Sequence, residues 1–192
     1  MSESTVSREA TSPRGTTPAV HTPGWLSVMS PSARFVLQAD AAALTAAAQS
    51  LGFDSDVSTS AAYDSGQFSL LWLGPDERLI LAWQDDAQRT APRVANALAD
   101  QPHSLVEVTH RQVSRRLHAH GIIELLNCGC PQDLDLGQFA IDRCSRTLFN
   151  KSEIVLWRRG ANEFHVEIWR SYADYFERWL IEAAQDLPVS TL

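Results

Sequence analysis

The sequence has few basic side chains and no long apolar run. Its 192 residues carry 16 Lys and Arg against 23 Asp and Glu, for a formal net charge of −7 at pH 7. Nucleic-acid binding needs clustered cations that displace counterions from phosphates, so this balance argues against a nucleic-acid partner. No uncharged apolar run approaches the ~20 residues that span a bilayer, and Met1 to Val20 lack an apolar signal core. We therefore expect a cytoplasmic protein without a membrane partner.

Cysteine is also scarce. Three cysteines, an odd number, favour reduced thiols over a disulfide framework. Two pairs have side chains that zinc prefers, namely His118 with His120 and Cys128 with Cys130. Their H-x-H and C-x-C spacing matches no known zinc signature, so we predict that the chain binds no metal, although the alternative stays open.

Hydrophobic residues are plentiful, at 44% of the chain, and all six tryptophans lie at or beyond Trp25. A domain of ~150 residues buries about 70% of its extended surface, so one or two small domains with a real core are expected. The tryptophans predict large surfaces that are buried or shared with a partner.

Residues 1–33 are rich in Ser, Thr and Pro and predict a flexible arm, because they bury too little apolar surface to offset the entropy of ordering. Trp25 and Leu26 form an apolar patch within it. A patch of this kind is what an arm that docks on a partner needs, and Trp25 covering its own domain is an equally good interpretation.

Residues 34–110 predict the order β-α-β-β-α-β, a ferredoxin-like unit. Asp40 is suited to cap the first helix and Gly52 to end it, whereas residues 53–66 read as a polar loop. The remaining signals are a strand at 34–38, a hairpin of 68–73 with 79–83, a helix capped by Thr90 with Pro92 in its first turn, and a strand at 105–108.

Residues 111–192 repeat this order. We therefore predict an α+β fold of two ferredoxin-like halves packed together. The signals are a strand at 113–118, a helix at 121–127, strands at 147–149, 154–157 and 164–169, and a terminal helix from Ser171. In strand 164–169, alternation directs Phe164, Val166 and Ile168 to the core and His165, Glu167 and Trp169 to the opposite face.

The terminal helix has the clearest local pattern. Ser171 and Asp174 predict a capping box. Trp169 and Ile181 fall outside its apolar stripe and are candidates for contact with another subunit. The stripe itself consists of Tyr172, Tyr175, Phe176, Trp179, Leu180 and Ala183.

The residues themselves predict no catalytic and no cofactor-binding site. His110 could form an acid-base pair with Glu107, but no nucleophile is spaced to complete it, and a hydrogen-bonded turn histidine is the alternative. Gly74-Pro75-Asp76 is a turn without the helix and further glycines of a phosphate cradle, and no dinucleotide fingerprint occurs.

Three blocks in fixed order resemble the gamma subunit of heterotetrameric sarcosine oxidase. They are Val106 to His118 continued by Leu125 to Leu134, then Arg143 to Arg158, then Phe164 to Ala173, and the likeness covers roughly residues 34 to 185. The resemblance implies a non-catalytic subunit whose alpha, beta and delta partners hold FAD, FMN, NAD, tetrahydrofolate and zinc. It implies a complex that oxidises sarcosine, passes a one-carbon unit to tetrahydrofolate and makes hydrogen peroxide.

The same segment resembles the glycine-cleavage T-protein superfamily, which implies a folate-binding fold. Aligning Gly129 with that family's glycine puts Cys130 where its catalytic aspartate stands, and a thiol is a poor substitute for an ionised carboxylate. A shifted alignment would use Asp133 instead. The rival hypothesis is therefore a stand-alone folate-binding enzyme or repair factor, although the repair branch's Lys-Gly-Cys-Tyr order is absent.

Overall fold

Two antiparallel sheets face one another, and helices cover the outer face of each. The computed structural model describes residues 22–53, 60–84 and 87–192. The described strands are β1 Leu26–Met29, β2 Ala33–Ala39, β3 Ala62–Asp64, β4 Phe68–Gly74, β5 Glu77–Ala82, β6 His103–Glu107, β7 Gln112–His120, β8 Cys144–Phe149, β9 Ser152–Gly160, β10 Glu163–Trp169 and β11 Ser190–Thr191. The described α-helices are α1 Ala41–Ser50, α2 Ala87–Ala97, α3 Ile122–Asn127 and α4 Ala173–Ala183. The mixed α+β prediction is confirmed.

The first sheet has the strand order β3-β4-β5-β2-β6, and α1 and α2 pack on one side of it. The predicted signals of α1 are confirmed: the Asp40 carboxylate accepts a hydrogen bond from the Ala43 amide at 2.9 Å, and Gly52 follows the helix with φ of 88°. A positive φ is costly for residues with a Cβ, which is why glycine suits this position.

Two predictions for this half are wrong. Helix α2 spans Ala87–Ala97, so Thr90 lies inside it as a fully buried residue and does not cap it, and Pro92 lies beyond the first turn. Burial of Thr90 against the sheet outweighs its local preference for a cap. Part of the loop predicted at 53–66 forms β3, which pairs with β4, while residues 54–59 lie outside the described part.

The second sheet has the order β1-β7-β10-β9-β8, and β11 also pairs with β7. It matches the first sheet strand for strand. In each sheet, the first strand of that half (β2 or β7) lies beside a hairpin (β4-β5 or β9-β10). An extra strand (β3 or β8) pairs with the other edge of the hairpin. On the far side of β7, β1 and β11 together take the place that β6 has beside β2.

Strand β1 corrects the prediction for the end of the flexible arm. Trp25 is 7% exposed and Leu26 3%, and both belong to the core of the second half. The His118 amide donates to the Trp25 carbonyl at 2.9 Å, so the backbone of the arm is part of this sheet. Trp25 and Leu26 therefore cover their own domain and leave little surface for a partner. Residues 1–21 of the predicted arm lie outside the described residues.

The start of the terminal helix also differs from its prediction. A 3-10 turn, Arg170–Tyr172, precedes α4, and no side chain caps the helix, so the capping box of Ser171 and Asp174 is wrong. Phe176 and Leu180 of the predicted stripe are buried, but Tyr172 and Tyr175 are 46% and 37% exposed. The chain enters α4 through the 3-10 turn, and Ala173 and Phe176 are the buried residues of the first turn of the helix.

Three apolar clusters follow from these layers. One lies between the first sheet and α1 with α2, and another between the second sheet and α3 with α4. The third lies between the two sheets and includes Leu71, Leu81, Cys144 and Trp157. None of the described helices has the length and apolar character needed to cross a membrane.

Candidate functional site

A cluster of polar side chains lies between the sheets, beside the apolar contact. Glu167 on β10 accepts from Arg34 on β2, with 2.8 Å between Nε and Oε2. Its other oxygen, Oε1, contacts Nε2 of His165 at 2.8 Å and also accepts from the Ser114 hydroxyl. Arg34 Nη2 donates to Ser114 Oγ at 2.7 Å, which closes the cluster. This cluster of Arg34, Ser114, His165 and Glu167 is called the intersheet cluster below.

Strand alternation on β10 explains how the cluster forms. Phe164, Val166 and Ile168 face the helix-side core, as predicted. His165 and Glu167 face the other way, as predicted, but they are 0% exposed because the first sheet covers them. The sequence signal was present in the alternation, and its meaning depended on a second sheet that alternation cannot reveal.

The electrostatics of the cluster favour an ionised Glu167. Burial opposes ionisation, but the hydrogen bond and charge of His165, the charge of Arg34 and the hydrogen bond from Ser114 outweigh it and hold the pKa of Glu167 below its ordinary value. The His165 ring contacts the rings of Trp83 and Trp157 at centroid distances of 5.9 and 5.6 Å.

The arrangement does not form a nucleophile-base pair. The Ser114 hydroxyl bonds to Glu167 and to Arg34, whereas Nδ1 of His165 faces the Met29 sulfur at 3.3 Å. A serine nucleophile needs a general base that is free to take its proton, and the Glu167 carboxylate that accepts from Ser114 is already held by Arg34 and His165. We therefore interpret the intersheet cluster as a set of bonds that joins the two sheets.

The histidines and cysteines considered as metal ligands do not gather. His118 lies on β7 with Nδ1 at 3.5 Å from Arg116, His120 is exposed, and Cys128 donates to the Glu124 carbonyl at 3.3 Å. Within the described ranges no group of three or more His, Cys, Asp or Glu side chains is placed to hold a metal ion. His110 and Glu107 are both exposed, and no hydrogen bond joins them in the described part of the chain.

The segment compared with T-proteins is tightly packed. A Cβ on Gly129 would lie 2.8 Å from the Phe149 ring, so no larger residue fits without a shift. Cys130 is 5% exposed, and burial raises the pKa of its thiol. Asp133 is exposed on the loop that follows. The loop is anchored by Arg158, whose Nη1 donates to the Leu134 and Phe139 carbonyls at 2.9 Å each.

An aromatic groove lies on the side of the second sheet where alternation along β10 places Trp169 on the same face as His165 and Glu167. Its volume is about 310 Å³. Trp169, predicted to contact a partner, is 41% exposed there, whereas Ile181 is half-buried on α4. The groove is called the Trp169 surface, and its lining residues are Leu148, Lys151, Glu153, Trp169 and Tyr172.

The family model described as the gamma subunit family of sarcosine oxidase matches residues 37–186. The chain belongs to the sarcosine oxidase gamma subunit family. Sarcosine oxidase subunits gamma from Corynebacterium sp. (strain U-96), Corynebacterium sp. (strain P-1) and Arthrobacter sp. are 28%, 29% and 27% identical over 75%, 62% and 65% of this chain. These alignments span 69%, 57% and 60% of the relatives' own lengths.

Solved structures share the fold of this gamma-subunit family member. Heterotetrameric sarcosine oxidase from Corynebacterium sp. U-96, in complex with pyrrole 2-carboxylate, aligns with a TM-score of 0.76 at 22% identity and covers 87% of this chain and 86% of that one. Glycine cleavage system aminomethyltransferase T from Bartonella henselae aligns with a TM-score of 0.58 at 10% identity over 84% of this chain and 47% of that one.

Proposed function

We propose that this chain is the gamma subunit of a heterotetrameric sarcosine oxidase and that it serves assembly rather than catalysis. The family match over residues 37–186 carries this proposal. The complex demethylates sarcosine oxidatively to glycine, passes the one-carbon unit to tetrahydrofolate and reduces oxygen to hydrogen peroxide. Its alpha, beta and delta subunits hold FAD, FMN, NAD, tetrahydrofolate and zinc, and the assembly is cytoplasmic.

The chemistry of the described residues supports a role without catalysis. Glu167 pairs with both His165 and Arg34, so neither the buried histidine nor the carboxylate is available to a substrate. The Cys130 thiol is buried and its pKa is raised, so it does not supply the ionised group that folate chemistry requires. In this proposal the chain completes walls of the internal cavity that connects amine oxidation with folate chemistry.

The Trp169 surface is the contact we assign to the larger subunits. Leu148, Trp169 and Tyr172 are 51%, 41% and 46% exposed, and large apolar side chains grouped on a surface are typical of subunit interfaces. Aromatic residues supply a large share of binding energy where they are fully covered in a complex. Lys151 and Glu153 at its edge add charges that orient a partner.

Co-expression with flavin-bearing and zinc-bearing sarcosine oxidase subunits tests both the subunit proposal and the assigned interface. We expect a tagged wild-type chain to co-purify with them in one-to-one stoichiometry, and the Trp169→Asp variant to lose at least tenfold of the bound partner. Val106→Asp is the matched control, because Val106 is 51% exposed on β6 of the other sheet. No co-purification of the wild type would overturn the subunit proposal, whereas equal recovery of both variants would overturn only the assigned interface.

The fold itself is part of the proposal. The same strand order in both sheets and the likeness to aminomethyltransferase T support two ferredoxin-like halves in a T-protein-like architecture. That likeness also keeps the folate hypothesis testable. We expect titration calorimetry of the chain with tetrahydrofolate to give no micromolar binding. Micromolar binding that is lost in Asp133→Ala would favour the folate-binding enzyme and a shifted alignment.

A further inference from the structure

A cationic pocket opens at the end of the sandwich, where the chain passes from β1 to β2. Its volume is about 360 Å³. Arg34, Arg115, Arg170 and His110 line it, and no aspartate or glutamate does. In a chain with a formal net charge of −7, a pocket with three arginines and no carboxylate in its wall is a local concentration of positive charge.

Two of the three arginines in the pocket form ion pairs with carboxylates outside its lining, which reduces the net positive charge available to a ligand. Arg34 is paired with Glu167 at 2.8 Å, and Arg115 with Glu177, with 2.6 Å between Nε and Oε1. Arg170 differs from both, because its Nε donates to the His110 carbonyl at 3.1 Å and no carboxylate pairs with it in the described part of the chain. About one uncompensated positive charge therefore faces the pocket, which suits a ligand with one negative charge.

A second observation at the same place indicates a missing polar partner. Gln112 lines the pocket, is 4% exposed, and its Oε1 has no hydrogen-bond partner among the described residues. Buried amides without a partner are rare, and each calls for a water or a ligand. Oε1 is closed off from solvent, whereas Nε2 at the other end of the amide is not among the buried unpartnered atoms and is the group that can donate to a ligand oxygen.

The remaining wall is mixed, with the hydroxyl side chains of Ser30 and Thr109 beside a group of apolar residues. Val28 is 67% exposed although it lies on a strand, and it borders the pocket together with Pro31 and Val113. A hydrated inorganic anion would gain nothing from these side chains, whereas an organic anion would cover them. The two kinds of wall thus favour a ligand that is charged at one end and apolar at the other.

We propose that this pocket binds a small organic carboxylate. The carboxylate lies against Arg170 and Gln112, and the apolar part of the ligand lies against Val28 and Val113. The pocket shares Arg34 with the intersheet cluster, but Arg170 and Gln112 lie outside that cluster, and the proposal does not depend on the assembly described above. We assign the pocket to a free small molecule. The alternative is that a carboxylate side chain of a partner subunit fills it, and the test below distinguishes the two.

Saturation-transfer NMR with the full chain tests the proposal and tolerates self-association. The probes are benzoate, its neutral counterpart benzamide, and acetate, which lacks the apolar part. We expect benzoate to bind with a submillimolar Kd and the two other probes to bind at least tenfold more weakly. Equal binding of benzamide would overturn the role of the charge, and equal binding of acetate would overturn the role of the apolar wall.

Two arginine variants locate the site. Arg170→Gln should weaken benzoate binding at least tenfold, because it removes the uncompensated charge, while Arg178→Gln, an exposed arginine on α4 outside the pocket, should leave it within twofold. Equal Kd values for the two variants would place benzoate elsewhere and overturn the proposal. If the free chain binds benzoate but the co-purified complex gives no saturation transfer to benzoate, a partner fills the pocket and the free-ligand assignment is wrong.

Discussion

Glu167 is a fully buried carboxylate whose two oxygens are both used. Arg34 contacts one oxygen, and His165 with Ser114 contacts the other. A buried ion pair of this kind contributes little compared with apolar packing, yet removing one member leaves the other charge without a partner. The cluster therefore fixes the position of one sheet against the other, since its four residues come from β2 in the first sheet and from β7 and β10 in the second.

Glu167→Gln should destabilise the chain by about 3 to 5 kcal/mol at pH 7, because Arg34 then stays buried beside a neutral amide. Urea unfolding followed by tryptophan fluorescence measures this free energy. Glu153→Gln, an exposed position on the neighbouring strand, is the control and should change it by less than about 0.5 kcal/mol.

The same pair predicts a pH dependence. The pKa of Glu167 is lower in the folded chain than in the unfolded one, so the folded state binds its proton less readily. The stabilisation by ionised Glu167 is complete above the pKa of a glutamate in the unfolded chain, near 4.3. It is lost as the pH falls through the lower pKa of Glu167 in the folded chain. The difference in unfolding free energy between wild type and Glu167→Gln should shrink below about pH 4. A difference that stays constant down to pH 3 would contradict the ionised state assigned to Glu167.

The three cysteines differ in exposure, and their reactivity should follow it. Burial raises the pKa of the Cys130 thiol and raises that of Cys144 to about 12, while Cys128 is exposed. Iodoacetamide at pH 8 should label Cys128 alone in the folded chain and all three cysteines in urea, as counted by mass spectrometry. Rapid labelling of Cys130 in the folded chain would mean that its site is open.

At the scale of elements, the first strand decides what the N-terminal segment does. Local composition predicts a flexible arm, but Trp25 and Leu26 join the core, and the chain then pairs with β7 from Leu26 to Met29. The apolar surface that two residues bury here outweighs the entropy of ordering the segment. Backbone bonds to an otherwise open edge of β7 add to this gain.

Trp25→Ala should lower the unfolding free energy by about 3 kcal/mol, since it removes a large side chain that is 7% exposed. Val28→Ala, three residues later and 67% exposed, should change it by less than about 0.5 kcal/mol. Thermal unfolding of both variants, without partner subunits, checks this. Equal melting temperatures for Trp25→Ala and wild type would restore the flexible-arm interpretation.

At the scale of the whole molecule, the inner face of the second sheet is partly exposed at the Trp169 surface. Leu148, Trp169 and Tyr172 stay partly exposed at the Trp169 surface, although the Arg111 guanidinium lies over the Trp169 ring at 5.3 Å from its centroid. Exposed apolar groups of this kind favour association.

The chain expressed alone should therefore self-associate or be poorly soluble, and co-expression with the larger subunits should restore a monodisperse species. Trp169→Asp should reduce the self-association of the isolated chain, as sedimentation velocity would show, because a charge replaces the centre of the Trp169 surface. Its control is Val106→Asp on the other sheet. A wild-type chain that stays monomeric and stable at high concentration would argue against an interface here.

Local signals were sufficient where a few neighbouring residues decide the structure. Asp40, Gly52 and the turn at Gly74-Pro75-Asp76 were predicted from sequence and confirmed, because caps and tight turns depend on their own backbone geometry. Alternation on β10 likewise predicted which face each residue takes. The resemblance carried by the blocks from Val106 to Ala173 led to the correct family.

Tertiary structure alone decided the rest, for one physical reason: the outcome depended on groups far apart in sequence. Thr90 has the character of a cap and is instead buried within a helix, and Trp25 lies in a segment of loop-like composition and is instead in a core. The intersheet cluster joins Arg34 to Glu167 across 133 positions. Which polar face becomes an interior depends on what packs against it, and no local pattern contains that information.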